Sequence, residues 1–278
     1  MSAIIVAGGS GERMHASVPK QFLDLCGWPM LMHCVKAFVD ACEGINIIVV
    51  LPSSQIEYWH KLCDIHGFML SHQIVEGGST RFHSVKNGLS VLPDEGLVAI
   101  HDGARPLVNR QTIVSSFRAA ARYGCAIPAV SLFDSVRMVS HHSKSRPLNR
   151  FYLRVVQTPQ VFKTGLIKKA YQQDFSHAFT DDATVFENAG NIIHLTTGNM
   201  ENIKITNPHD LVVAEALLKQ LRIESHTTHH HHHHHHHHHE QEHGHKHHEH
   251  DHDAKHNHNH NHNKHGHDHK HDHDHDNI

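Results

Sequence analysis

The sequence predicts an α/β fold built around a mostly parallel β-sheet. Three observations support this: short apolar runs recur along the chain, segments with helical spacing of apolar residues separate them, and polar or glycine-rich loops follow several runs. The apolar runs cover 3–7, 45–51, 72–75, 97–100 and 125–131. One helical face comprises Leu31, Val35, Phe38 and Val39. Such alternation indicates β-α-β units, in which helices cover both faces of the sheet.

Three of the loops that follow predicted strands are rich in glycine or polar residues. They are Gly8 to Gly11, Gly77-Gly78-Ser79, and His101 to Pro106. In open α/β sheets, ligands bind outside the carboxyl ends of the strands. We therefore expect the three loops to converge on one cleft.

The first loop combines a glycine turn with two cations. Gly8, Gly9 and Gly11 allow backbone N–H groups to approach phosphate oxygens, and Arg13 and Lys20 follow closely with positive charge. The spacings G-x-G-x-x-G and G-x-x-x-x-G-K-[ST] are absent from this stretch, which disfavours a dinucleotide fold and a P-loop ATPase. The stretch alone is compatible with a triphosphate cradle or with an ordinary strand-to-helix turn carrying two solvated cations.

Composition divides the chain at about residue 225. Residues 226–278 hold 28 of the 40 histidines and almost no apolar side chains, so we expect this tail to be disordered. The tail carries a net charge of −5, which leaves +2 on residues 1–225 because the whole chain carries −3. That mild surplus favours an anionic small molecule over nucleic acid as partner. We predict one globular domain over 1–225.

The tail also indicates metal binding. His229 to His239 is an unbroken histidine run, and 39 residues of mixed histidine repeats follow it. Neutral imidazoles bind Ni²⁺, Cu²⁺ and Zn²⁺ in preference to Mg²⁺, so an extension that binds Ni²⁺ or Zn²⁺ is favoured over a purification tag. A metal-storage or metal-delivery protein is therefore the rival function from another class.

The cysteines predict a reducing compartment. They are Cys26, Cys34, Cys42, Cys63 and Cys125, an odd number without C-x-x-C pairing. No stretch reaches membrane-spanning length, and Met1-Ser2 runs directly into the first predicted strand without a signal peptide. We therefore expect a cytoplasmic protein that does not bind a membrane.

After Ser131 the pattern changes. Residues 132–157 hold short extended runs around the polar turn Ser140 to Ser145, which predicts a projecting β-hairpin, called the arm below. Ile203-Lys204-Ile205 is predicted to be a short strand. Asn207-Pro208 is expected to cap and open a last helix. The apolar face of that helix comprises Leu211, Ala214, Leu218 and Leu221.

Several polar residues are candidates for chemistry. Asp102 directly follows a predicted strand, which is the usual position of a metal-binding carboxylate in a phosphate site. An isolated Asp at such a position more commonly forms a cap. Lys204 lies between two isoleucines, and these neighbours favour a partly enclosed ammonium group over a lysine on the surface. Thr180-Asp181-Asp182-Ala183 is interpreted as a structural N-cap. Because no G-x-S-x-G nucleophile motif occurs, these groups suit a displacement at phosphorus better than covalent catalysis.

Six motifs in order make residues 1–225 resemble the 2-C-methyl-D-erythritol 4-phosphate cytidylyltransferases of the non-mevalonate isoprenoid pathway. The motifs are Ala7-Gly8-Gly9-Ser10-Gly11-x-Arg13-Met14, Pro19-Lys20-Gln21, Gly77-Gly78-x-x-Arg81-x-x-Ser84-Val85, His101-Asp102-x-Ala104-Arg105-Pro106, Thr158-Pro159-Gln160 and Glu201-Asn202-Ile203-Lys204-Ile205-Thr206. The resemblance implies a Rossmann-like nucleotidyltransferase sheet and a homodimer that exchanges its arms. It also implies Mg²⁺-dependent cytidylyl transfer from CTP to a sugar-alcohol phosphate. The ribitol 5-phosphate cytidylyltransferases share most of these motifs and provide the alternative acceptor.

The resemblance implies roles for individual residues. The catalytic cations would be Arg13, Lys20 and Lys204. The nucleotide would be bound by Ala7, Gly8, Gly9, Gly11, Gly78, Ser79, Ser84, Asp102 and Ala104. The acceptor would be bound by Asp102, Arg105, Ser135, Arg150, Thr158 and Lys204, with those of the arm reaching the neighbouring subunit's site. Asp102 would also bind Mg²⁺.

Overall fold

The computed structural model of the chain describes residues 1–9, 18–140 and 144–232, and only the backbone of 224–232. The strands are β1 (Ser2–Val6), β2 (Asp24–Leu25), β3 (Trp28–Pro29), β4 (Asn46–Leu51), β5 (Gln73–Glu76), β6 (Leu97–Asp102), β7 (Cys125–Ser131), β8 (Val136–Val139), β9 (Ser145–Leu148), β10 (Arg154–Val156), β11 (Gln160–Lys163) and β12 (Leu195–Thr197). The α-helices are α1 (Met30–Ala41), α2 (Ser53–His66), α3 (Arg81–Ser90), α4 (Arg110–Tyr123), α5 (Thr164–Ala170), α6 (Asp182–Asn188) and α7 (Pro208–His232). Short 3-10 helices cover Lys20–Phe22 and Arg150–Tyr152.

The central sheet confirms the mostly parallel α/β fold. Its strand order is β10-β7-β11-β6-β1-β4-β5, and β12 pairs with β7 as well. β1 is parallel to both β4 and β6, β4 is parallel to β5, and β12 is parallel to β7. β11 is antiparallel to β6 and β7, and β10 is antiparallel to β7. The parallel strands predicted from the apolar runs therefore form one half of the sheet.

Helices cover both faces of the sheet. Because successive side chains of a strand point to opposite faces, β1 contributes to two separate clusters. Ala3 and Ile5 pack in the cluster that includes residues of α1, α2 and α4, whereas Ile4 and Val6 pack in the cluster that includes residues of α3, α5 and α6. Burial on both faces explains why these strands appear in the sequence as continuous apolar runs.

The last helix begins as predicted and ends later than composition suggests. Asn207 accepts a hydrogen bond at Oδ1 from the N–H of Asp210 at 3.1 Å, and Pro208 is the first helical residue. Ala214 is fully buried, whereas Leu221 is 40% exposed and so does not belong to the buried face. The backbone of α7 continues to His232, beyond the expected boundary at 225. Residues 233–278, which include most of the tail, lie outside the described residues.

The arm is a projecting hairpin, but it is shorter than predicted. β8 and β9 pair antiparallel, and the tip of their turn at 141–143 lies outside the described residues. β10 falls within the predicted arm of 132–157, yet it pairs with β7 in the central sheet. The arm therefore ends before Arg154, because the chain gains a full strand partner there.

The predicted strand at Ile203-Lys204-Ile205 is wrong. The N–H of Ile205 donates to the Ala104 carbonyl at 2.8 Å, but no regular ladder forms around this bond. Ile205 is fully buried in a small cluster with Leu25 and Ala214. Its apolar character therefore reflects a loop anchored to the core, which an alternating pattern cannot distinguish from a short strand. Across the described segments, no helix combines the length and apolar character needed to cross a membrane.

Candidate active site

The loops after β1, β5 and β6 meet at one end of the sheet and line a cavity of about 280 Å³, called the first cavity below. Most of the residues predicted to bind a nucleotide line it: Ala7, Gly8, Gly9, Gly78, Ser79, Ser84, Asp102 and Ala104. Lys20 and Lys204 also line it. Gly11 and Arg13 lie outside the described residues. The convergence follows from the parallel pairing of β1, β4, β5 and β6, whose carboxyl ends share one edge.

The glycine loop after β1 allows close approach of a cation. A Cβ atom added at Gly9 would lie 3.2 Å from Cε of Lys20, so the lysine side chain lies directly against the loop. Gln21 connects the short helix that carries Lys20 to the end of β1, because its Nε2 donates to the Ala7 carbonyl at 2.7 Å. The ammonium and the loop are thus held together before a ligand binds.

The side chain of Ser84 holds the loop after β5 through hydrogen bonds. The N–H of Gly78 donates to the Ser84 hydroxyl at 3.1 Å, and that hydroxyl donates to the Thr80 carbonyl at 3.0 Å. A Cβ at Gly78 would collide with His83, which explains the glycine there. Ser79 is exposed at the cavity mouth. Ser84 therefore shapes the loop, whereas the Ser79 hydroxyl lies 3.3 Å from Nδ1 of His83.

Asp102 lies at the centre of a cation cluster. Its Oδ2 lies 2.9 Å from Nζ of Lys204 and 3.8 Å from Nε of Arg105, and its Oδ1 lies 3.3 Å from Nε of Arg81. Burial alone would raise the pKa of Asp102, but Arg81 and then Lys204 outweigh burial and hold the pKa well below its usual range. The carboxylate is therefore ionised and the surrounding cations are fixed around it.

A second cavity, of about 210 Å³, adjoins the first. Arg81, Asp102 and Lys204 line both cavities. The rest of the second cavity is lined by Arg105, Val156, Gln157, Thr158, Gln160, Thr180 and Asp181. Two phosphate compounds, one in each cavity, would therefore meet at the same cations.

Thr158, predicted to bind the acceptor, belongs to a buried hydrogen-bond chain. Its Oγ1 accepts from the N–H of Asp102 at 3.0 Å and lies 3.1 Å from Nδ1 of His101, whose Nε2 lies 2.9 Å from the Arg105 carbonyl. Since a carbonyl only accepts, His101 carries its proton on Nε2 and accepts the Thr158 hydroxyl proton at Nδ1. Burial lowers the pKa of His101 to about 4, consistent with this neutral form.

The two arm residues predicted to bind the acceptor lie elsewhere. Ser135 and Arg150 are exposed, and neither lines the two cavities of its own chain. The Arg150 guanidinium donates to the Phe133 carbonyl within the arm. The structure of the single chain therefore does not bring these residues to Asp102.

Sequence reasoning missed the role of Arg81. Its two terminal nitrogens donate to the two carboxylate oxygens of Asp182 at 2.9 and 2.7 Å. The predicted N-cap is Asp181, which accepts from the N–H of Thr184 at 2.9 Å, so the neighbouring Asp182 does not serve in that role. One signal was present: Arg81 begins α3, where the helix dipole disfavours a cation. A carboxylate partner offsets this cost.

The residues present fit a Mg²⁺ ion that arrives with its ligand. Within the described ranges, no group of three or more His, Cys, Asp or Glu side chains could hold a metal ion. Asp102 is the single carboxylate among the described residues that line the first cavity. Mg²⁺ commonly binds one or two carboxylates and completes its shell with substrate phosphates and water. Asp102 could serve in that arrangement.

Two adjoining cavities that share their cations can bring a phosphate donor and a phosphate acceptor together, as nucleotidyltransferases do. The family comparison gives the same class. The model of the IspD family, 2-C-methyl-D-erythritol 4-phosphate cytidylyltransferase, matches residues 1–220, and this chain belongs to that family.

Relatives of known name and structure agree with this assignment. The 2-C-methyl-D-erythritol 4-phosphate cytidylyltransferase of Phocaeicola vulgatus is 48% identical over 216 residues, which is 77% of this chain and 98% of the relative. That of Bacteroides fragilis is 48% identical over 217 residues, 78% of this chain and 99% of the relative. The solved structure of the Thermus thermophilus enzyme has a TM-score of 0.65 at 31% identity and covers 78% of this chain and 98% of that one.

The neutral state of His101 leads to a testable pH dependence. Its folded pKa of about 4 lies below the ordinary value near 6.5, so the unfolded chain takes up a proton first as the pH falls. Stability is therefore full above about pH 6.5 and is lost towards pH 4. We expect this histidine to remove about 2 kcal/mol of unfolding free energy between pH 7 and pH 5.

Urea unfolding of the wild type and His101→Gln at both pH values measures this loss. The variant should show a smaller decrease, and the exposed His60→Gln control should behave like the wild type. Equal decreases in all three proteins would contradict the neutral assignment of His101.

Proposed function

We infer that this chain transfers a cytidylyl group from CTP to 2-C-methyl-D-erythritol 4-phosphate, releasing pyrophosphate and forming 4-diphosphocytidyl-2-C-methyl-D-erythritol. The observation that carries this inference is the sharing of Arg81, Asp102 and Lys204 by two cavities. The family model and the relatives reported above all name this acceptor. Nothing in them favours ribitol 5-phosphate as acceptor or metal delivery as function.

The reaction follows from the charges around the shared cluster. CTP would occupy the first cavity, with its triphosphate against the glycine loop and Lys20, and with Arg13 added by resemblance. The acceptor phosphate would lie against Arg105 and Lys204 in the second cavity. One of its oxygens attacks the α-phosphorus, the bond from that phosphorus to the bridging oxygen breaks, and pyrophosphate leaves.

Charge neutralisation would supply most of the catalysis. Negative charge grows on the bridging and equatorial oxygens, and Lys20 and Lys204 line the cavity where those oxygens would lie. A phosphate monoester is already largely dianionic near neutral pH, so no general base is needed. When bound through Asp102 and the phosphates, Mg²⁺ would supply further neutralisation of the triphosphate. Asp102 itself orients Lys204 and Arg105.

The exposed apolar side chains of the arm support a homodimer with shared sites. Phe133, Phe151 and Tyr152 are 67%, 77% and 85% exposed, and the hairpin places these three large side chains in one short segment. Ser135 and Arg150 lie between them in sequence and outside the cavities of their own chain. An arm that packs on a second copy would cover the apolar side chains and bring both polar residues to the partner's acceptor cavity.

A cytoplasmic location is supported by the cysteines. Cys26, Cys34, Cys42, Cys63 and Cys125 all lie within the described residues, and none forms a disulfide there. Unpaired thiols of this kind are typical of a reducing compartment.

Turnover of the acceptor tests the function directly. Pyrophosphate release should be fastest with CTP and 2-C-methyl-D-erythritol 4-phosphate, because the family assignment names this pair. Ribitol 5-phosphate, ATP in place of CTP, and removal of Mg²⁺ by chelation provide the comparison reactions. Faster turnover of ribitol 5-phosphate would move the chain to the sister activity, and equal turnover after chelation would remove Mg²⁺ from the scheme.

Mixing two inactive variants tests the shared site. Lys20→Ala should lower kcat by about 10²–10³, the loss expected for one preorganised donor to a developing oxyanion. Arg150→Ala should impair the acceptor site of the partner. In a mixed dimer, one site receives both intact residues, so we expect part of the activity to return. If subunit exchange is demonstrated and no activity returns, the arm serves its own chain.

The histidine tail is proposed to bind Ni²⁺ or Zn²⁺ without serving catalysis. In the sequence, all 28 of its histidines follow Lys204, the last of the described residues that line either cavity. A chain ending at Ser225 should lose multi-site Ni²⁺ binding in calorimetric titration and keep kcat/KM for CTP with Mg²⁺ within about twofold, because imidazoles and Mg²⁺ are poorly matched. Unchanged Ni²⁺ binding or lost turnover in the shortened protein would contradict an independent tail.

A further inference from the structure

A buried carboxylate outside both cavities controls the orientation of Arg81. Asp182 is fully buried, although it does not line either cavity. It accepts three hydrogen bonds, two from Arg81 and one from the Tyr171 hydroxyl at 2.6 Å. A buried carboxylate is costly unless it is paired and hydrogen-bonded, and here the pairing partner is a residue of the site.

Arg81 is held along two edges of its guanidinium. The terminal nitrogens bond Asp182, while Nε faces Asp102 at 3.3 Å. Three of the five N–H groups are thereby used, and the remaining two belong to the terminal nitrogens. A guanidinium fixed in this way cannot turn fully onto Asp102, so it keeps donors for a ligand at the junction of the cavities.

Tyr171 fixes the same assembly from the other side. Its ring stacks on Phe82, the residue after Arg81, with ring centroids 4.7 Å apart and an interplanar angle of 24°. Its hydroxyl donates to Asp182, the first residue of α6. Tyr171 is itself 2% exposed. The start of α3 and the start of α6 are thus linked through one buried ring and one carboxylate.

We propose that Asp182 and Tyr171 are positioning residues that hold the Arg81 guanidinium at the junction of the two cavities, where it stabilises the phosphoryl group in transfer. This role rests on the proposed cytidylyl transfer. Asp182 keeps Arg81 from forming a closed pair with Asp102, so Asp102 stays shared with Lys204 and Arg105. Tyr171 keeps Asp182 in the orientation that accepts both terminal nitrogens.

The expected effect lies in kcat rather than in KM. Arg81 lies where charge develops during transfer, so a misplaced guanidinium should cost transition-state stabilisation more than substrate binding. We expect Asp182→Asn to lower kcat about 10²-fold, the loss associated with a small displacement of a catalytic group. Tyr171→Phe, which keeps the stacked ring, should lower kcat about 3- to 10-fold, a smaller share of the same displacement cost. KM for CTP should stay within about twofold in both, as expected when ground-state binding is retained.

A double-mutant cycle distinguishes positioning from a structural role. If Asp182 acts through Arg81, Asp182→Asn should add little to the loss caused by Arg81→Met, since the carboxylate then has no guanidinium to hold. Removing both partners also avoids an unpaired buried charge. The control is Phe186→Leu, a buried substitution on the same helix at a residue whose ring contacts Phe162. It should lower Tm and leave kcat within about twofold, because helix packing is changed without the site.

The outcomes separate this inference from the proposed function. No turnover by the wild type would overturn both. With an active wild type, near-normal kcat in Asp182→Asn, multiplying losses in the double variant, or an equal loss of kcat in Phe186→Leu would each overturn the positioning role alone. A kcat loss confined to the Arg81, Asp182 and Tyr171 variants, with non-additive losses, supports it.

Discussion

The site depends on one buried carboxylate, Asp102, and on the cations that compensate its burial. Those cations come from three separate parts of the chain: Arg81 from the start of α3, Arg105 from the loop after β6, and Lys204 from the loop before α7. Removing Arg81 would leave the fully buried Asp182 without its ion-pair partner and Asp102 with two cations in place of three, which is destabilising. The pairing therefore fixes the relative positions of elements that are distant in sequence. Asp182 extends the same network, because it pairs with Arg81, one of the cations that hold the pKa of Asp102 below its usual range.

The charge balance also explains why the network can both hold its shape and receive a ligand. The cluster contains three cations (Arg81, Arg105 and Lys204) and two carboxylates (Asp102 and Asp182), so it retains about one positive charge. A fully neutral network would attract a phosphate only weakly. A cluster of cations without carboxylates would be destabilised by mutual repulsion whenever no phosphate is bound. Donors that are already oriented need no rearrangement when charge develops on a reacting phosphoryl group, and this is the main source of electrostatic catalysis.

Sequence reasoning predicted the parts of this structure that depend on local pattern. Strands buried on both faces leave continuous apolar runs, and their carboxyl ends identified the edge at which the first cavity lies. The Arg81–Asp182 pair could not be predicted in the same way, because its members are 101 positions apart and Asp182 adjoins a residue with a genuine capping role. The loop at 203–205 was mistaken for a strand, since a single buried isoleucine gives the same short pattern. The end of the arm could not be predicted, because the strand at β10 forms by pairing with β7 and its own residues do not indicate that partner.

The order of the elements along the chain separates the linings of the two cavities. The first cavity is built from residues 6–104 together with Lys204, whereas the wall of the second cavity comes largely from 156–160 and 180–181. Substitutions in the later segments can therefore reshape the second cavity without moving the glycine loops of the first. Arg81, Asp102 and Lys204 are constrained by both cavities, because these three residues line both of them. Under the proposed reaction, specificity for the acceptor could therefore change through 156–160 and 180–181, while the glycine loops that would hold CTP stay as they are.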